Sequence, residues 1–178
     1  MMRRRLALVL ACLATPAALR AQEEPQVLLG AGIAPHGATG ATAGTALVLG
    51  LRQPLVRSPL DVMLDGGTTS LPAAAGDTAR RVVWGGLSLV IGGSETRRAA
   101  LRPVLLLGAG LYRLGPLSGA PAPVDTTTSW QVGASAGVGV DALLGALGAF
   151  ASARLHVVRG TGHTTTFAPV VAGLRLFF

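Results

Sequence analysis

From Phe167 to the carboxy terminus, apolar residues recur at every second position. Phe178, Leu176, Leu174, Ala172, Val170 and Ala168 share one face, and Phe177, Arg175, Gly173 and Val171 the other. A period of two marks a strand whose faces meet different surroundings. The same alternation returns along the chain between segments rich in Gly, Pro and Thr, and it predicts eight strands. They run over 27–34, 43–52, 60–68, 80–91, 102–113, 130–142, 149–158 and 167–178. The sixth has the clearest pattern: Trp130, Val132, Ala134, Ala136, Val138 and Val140 oppose Gln131, Gly133, Ser135, Gly137, Gly139 and Asp141. In the third, Leu60, Val62 and Leu64 oppose Asp61, Met63 and Asp65; in the seventh, Ala149, Ala151, Ala153, Leu155 and Val157 oppose Phe150, Ser152, Arg154, His156 and Val158. The fourth and fifth strands are apolar on both sides, so the pattern leaves their faces open.

Strands of roughly 9–12 residues have the length needed to cross a bilayer at a tilt. An even number returns both ends to one side. The connections at the far side are then Pro35–Thr42, Thr69–Thr78, Gly115–Ser129 and Arg159–Thr165, and those at the near side Gln53–Pro59, Gly92–Ala100 and Leu143–Leu147. Composition points the same way. Half of the 178 residues are hydrophobic and 13% charged, with a mean hydropathy of +0.55; a soluble domain carries roughly 25% charge. Past the first 21 residues no apolar run reaches the ~18 residues of a spanning helix. Only helices and closed barrels satisfy the backbone in lipid, so the expected fold is an all-β, eight-stranded, antiparallel up-and-down barrel.

A soluble eight-stranded carrier also alternates, but its apolar face points inward and its other face must suit water. The second face of strand six, Gln-Gly-Ser-Gly-Gly-Asp, clothes a solvated exterior poorly and fits a crowded bore. The inward set then holds Asp61, Asp65, Asp141, Arg154, His156 and Arg175. Unpaired buried charge is costly, and counting from the strand ends sets Asp141 near the depth of Arg175 and Asp65 near Arg154. These residues are expected to plug the lumen as a polar network. On the outer face, Trp130 and Phe178 sit at opposite strand ends, where interface aromatics belong; with 4% aromatics the girdle is thin.

The first 21 residues read as a secretory signal peptide: Arg3-Arg4-Arg5, an apolar Leu6 to Leu13, a break at Thr15-Pro16 and small residues up to Ala21. The remaining 22–178 form one domain, without cysteine once Cys12 is removed. All 15 basic residues are Arg; four lie in the leader, which leaves 11 against eight acidic residues and a mature charge near +3. No basic run interleaved with aromatics remains, so nucleic acid is not an expected partner. No spacing suggests a metal or cofactor site. His36 and His163 fall in predicted loops, and Ser152 lies about 13 Å along the strand from His156, too far for a catalytic pair. An enzyme is therefore not expected.

The terminal alternation ending in Phe178, the eight-strand count and the leader together resemble the small bacterial outer-membrane β-barrel families, OmpA-like and OmpX-like barrels among them. That resemblance implies that Leu174, Leu176 and Phe178 form the signal read by the barrel-insertion machinery. It also implies that the surroundings are outer-membrane lipid and lipopolysaccharide, with no cofactor. The expected role is structural, or a surface interaction through outer loops whose extracellular ligand the residues do not name. A small porin-like channel is the alternative, and a lipid-modifying enzyme a more distant one.

Overall fold

The computed structural model describes residues 25–36, 42–55, 58–71, 80–92, 101–116, 130–144, 147–160 and 164–178. Residues 1–21, His163 and most of the predicted loop residues lie outside them. Nine strand segments follow in order: β1 (Gln26–His36), β2 (Thr42–Pro54), β3 (Leu60–Leu71), β4 (Arg80–Ile91), β5 (Leu101–Pro116), β6 (Trp130–Leu144), β7 (Leu147–Arg159), β8 (Thr164–Phe167) and β9 (Val170–Phe177). The last two are one stave. Val157 faces Thr166 and Ala153 faces Val170 in an unbroken antiparallel register. The interruption is at Pro169, which has no N–H to donate, although its carbonyl still accepts from Arg154 N at 3.1 Å.

Each stave pairs with its sequence neighbours, and β9 pairs with β1, so the sheet closes as an eight-staved antiparallel barrel. Its stagger can be read by walking round it. Val27 faces Leu51, then Leu64, Leu87, Ala109, Ala134, Val157 and Thr166. Directly across the seam, however, Val27 faces Leu176, ten residues further along. For eight strands this shear tilts the staves by about 40–45° and sets a backbone radius of about 8 Å, a bore that side chains can fill.

Several strands overrun their predicted limits. β1 extends to His36, which pairs with Thr42 instead of lying in a loop; β2 reaches Pro54, β3 reaches Leu71 and β5 reaches Pro116. Arg159, Thr164 and Thr165, assigned to the Arg159–Thr165 loop, lie in strands. Gly, Thr and Pro mark turns only where the ladder has ended. Here the neighbouring staves continue, and threonine is a good strand former.

The two faces separate cleanly. Outward lie Leu29, Leu47, Leu49, Leu64, Leu87, Leu107, Leu111, Val132, Leu155 and Leu174, all exposed. An aqueous exterior would not tolerate so continuous an apolar band. The faces left open by the sequence are now assigned: Val82, Trp84, Ser88 and Val90 of β4 and Arg102, Val104, Leu106, Tyr112 and Leu114 of β5 point inward and are buried. Two apolar clusters fill the bore. One, around Leu28, Met63, Val104, Leu106, Phe150 and Val171, lies in the half nearer Gln26 and Phe177. The other, around Leu71, Val82, Trp84, Tyr112, Val158 and Phe167, occupies the far half.

Candidate functional site

The candidate site is the interior, and it is layered. Near the end that carries Gln26, four charges interlock. Asp141 Oδ2 accepts from Arg52 Nη1 and from Arg175 Nη1, each at 2.8 Å. Arg52 Nε donates to Asp61 Oδ2 at 2.6 Å, and its Nη2 lies against the same oxygen. Arg175 Nη1 also donates to Gln26 Oε1 at 3.1 Å. The side chains of all four charged residues are almost fully buried. Alternation on β2, β3, β6 and β9 aims each of them inward, and the shear brings them to a common height. Each carboxylate here meets at least one guanidinium, as a low-dielectric bore requires, and Arg102, the register partner of Asp141 on β5, is buried at the same level.

Further along the axis Arg154 Nη1 donates to Asp65 Oδ2 and, at 3.2 Å, to Ser88 Oγ. Ser88 in turn donates to Asp65 Oδ1 at 3.1 Å. A cavity of about 50 Å³ adjoins this group, touched by Arg52, Asp65, Asp141 and Arg154 and otherwise lined mainly by apolar side chains; it has room for a few waters. Beyond it the rings take over. The imidazole of His156, 1% exposed, stacks on Phe167 with centroids 4.7 Å apart and planes within 4°. Trp84 packs against it at a tilt, with centroids 5.0 Å apart. Tyr112 meets it edge-on, with Oη 2.9 Å from Nδ1.

The structure thus brings Asp141 to Arg175 and Asp65 to Arg154, with Asp61 in the first group, and it sets His156 apart among the aromatics. Sequence reasoning passed over Arg52, which holds the first group together, and Ser88, which completes the second. Arg52 was within reach: with Leu47, Leu49 and Leu51 on the outward face, parity alone puts it inside. Ser88 was not, because both faces of β4 are apolar. Trp130 and Phe178 are 56% and 68% exposed on the outer face at opposite ends of the barrel, and Leu174 and Leu176 are exposed beside Phe178. The other described aromatics face the bore or its rim. Among the described residues no three of His, Cys, Asp and Glu converge on one point.

Comparison with solved structures finds the same barrel elsewhere. Neisserial surface protein A superposes with a TM-score of 0.63 at 15% identity, over 86% of this chain and 96% of that one. The outer membrane enzyme PagL gives 0.52 at 13%, over 86% and 99%. A major outer membrane protein from Thermus thermophilus gives 0.51 at 13%, over 86% and 99%. No protein-family model and no curated protein sequence matches the chain. The fold is that of the small outer-membrane β-barrels; identities this low carry the architecture alone.

Proposed function

We propose that this chain is an integral protein of the bacterial outer membrane, exported by its leader, whose barrel is a plugged scaffold and whose role is exercised at the surface by the far-side loops. The observation that carries this reading is the filled bore. An ion-paired layer on Arg52, Asp61, Asp141 and Arg175, a second on Asp65 and Arg154, and the ring cluster on His156 lie one after another along the axis. A solute would have to separate the buried ion pairs of both layers, and leaving a buried charge without its partner costs about 3–5 kcal/mol. The exposed apolar band supports the membrane setting, and outer-membrane lipid, lipopolysaccharide and the insertion machinery are the partners that setting supplies.

Insertion of the refolded protein into a planar bilayer tests this reading. The expected result is a heat-modifiable, inserted barrel without discrete conductance steps; steady steps would favour the porin-like alternative. We also read the chain as non-enzymatic. His156 is buried among Trp84, Tyr112 and Phe167 inside the bore, away from the outer surface where a membrane lipid would lie. Release of acyl chains from outer-membrane lipid, abolished by changing His156 or His163, would overturn that part.

A further inference from the structure

Four of the described arginines, Arg52, Arg102, Arg154 and Arg175, are buried in the bore. Three others face outward and are exposed: Arg81 on β4, Arg113 on β5 and Arg159 on β7. All three stand at the same rim, the one remote from Gln26 and Phe177. The register gathers them on neighbouring staves around one aromatic. Arg113 is the direct partner of Trp130, Arg159 is the partner of Val132 two residues further along β6, and Arg81 lies two residues beyond Val83, the other partner of Arg113. Every carboxylate side chain among the described residues, Asp61, Asp65 and Asp141, points into the bore. The patch is therefore positive without a carboxylate side chain from the described barrel beside it.

Immediately below it, toward mid-barrel, the outer surface is hollowed. Gly85 faces outward beside its register partner Leu111 on β5; these two, with Trp130 on the next stave and Trp84, line the trough, and the partner of Gly85 on β3 is another glycine, Gly66. Packing does not demand the glycine at 85: a Cβ there would meet only Asp65 O, at 3.9 Å. Glycine inside a strand weakens it, so the effect of this one is to leave a lipid-facing trough open under the arginines.

We propose that this rim is a glycolipid site, in which Arg81, Arg113 and Arg159 hold the phosphate groups of a phosphorylated membrane glycolipid and the trough over Gly85 takes one of its acyl chains. Guanidinium groups match phosphate oxygens with paired donors, and arginine stems lie along apolar surface while their heads reach the interface. The Trp130 ring marks the headgroup level. A phosphate on a lipid is distinguished from free phosphate by the trough, which only a chain can fill. The site rests on the reading that the barrel spans the membrane.

The test uses the refolded full chain in phosphatidylcholine vesicles doped with bis-phosphorylated lipid A, extracted in mild detergent, with retained lipid A measured by mass spectrometry. A heat-modifiable gel shift first reports insertion; its absence would count against the membrane reading itself. With insertion present, wild type should retain lipid A and the triple variant R81Q/R113Q/R159Q should retain at least tenfold less. Dephosphorylated lipid A should be retained as poorly as by that variant, and G85L should lose several-fold while leaving the arginines intact. Equal retention by wild type and the triple variant would overturn the site, as would displacement of lipid A by millimolar inorganic phosphate alone.

Discussion

Arg52 and Asp141 stand 89 positions apart in the chain and meet across the bore, Nη1 to Oδ2, at 2.8 Å. The same carboxylate oxygen takes Arg175 Nη1 at 2.8 Å, so Asp141 carries two cations and Arg52 two anions. Removing the hub exposes the arrangement. Asp141→Asn should lower barrel stability by about 3–5 kcal/mol, the usual effect of stranding a buried charge. The double variant Asp141→Asn with Arg175→Met should recover part of that loss. Urea midpoints of vesicle-inserted protein measure both; strictly additive losses would show that the two residues do not interact.

Arg154 is the cation of the second layer, against Asp65 with Ser88 alongside. Arg154→Leu should cost about 3–5 kcal/mol, while Ser88→Ala, which leaves the ion pair in place, should cost only about 1–2 kcal/mol. Unchanged stability in Arg154→Leu would mean that this pair contributes nothing to holding the bore closed.

Tyr112 Oη lies 2.9 Å from His156 Nδ1, and both side chains are buried. Tyr112→Phe keeps the ring against Phe167 and removes only the hydroxyl, leaving Nδ1 without its partner. The expected destabilisation is about 1–3 kcal/mol, read from thermal unfolding in detergent. Trp84, whose ring lies 5.0 Å from His156, should report any local rearrangement by its fluorescence.

Two glycines should respond with opposite signs. At Gly133, on the inner face of β6, a Cβ would meet Tyr112 Cε2 at 2.6 Å and Val157 O at 2.8 Å. Gly133→Ala should therefore destabilise by about 1–3 kcal/mol through overpacking. At Gly85 the space is open, and Gly85→Ala should be neutral or stabilise by up to about 1 kcal/mol by restricting the unfolded chain. Parallel denaturant titrations of the two variants decide the matter.

Phe178 is exposed at the near rim, and its N–H donates to Pro25 O at 3.1 Å. If Phe178 belongs with Leu174 and Leu176 to the insertion signal that the resemblance implies, it should govern assembly more than stability. Deleting it should reduce the heat-modifiable barrel recovered from cells several-fold, while protein refolded in detergent keeps nearly the wild-type midpoint. Equal cellular yields would remove the signal role.

Much of this protein was legible in the residues themselves. Alternation with a period of two reports which side chains share a face, because successive Cβ atoms of a strand point oppositely. That was enough to give eight staves, an apolar exterior, and an interior containing Asp61, Asp65, Asp141, Arg154, His156 and Arg175. It failed where both faces were apolar, on β4 and β5. There Trp84, Tyr112 and Ser88 could be turned inward only by the pairing of those strands with β3 and β6. Strand ends were misjudged wherever Gly, Thr or Pro lay beside a neighbour that was still pairing. The meeting of particular charges belongs to the tertiary structure. Arg52 reaches Asp141 because the ten-residue shear of a closed sheet sets their heights, and that shear is a property of all eight pairings together, which no local pattern contains.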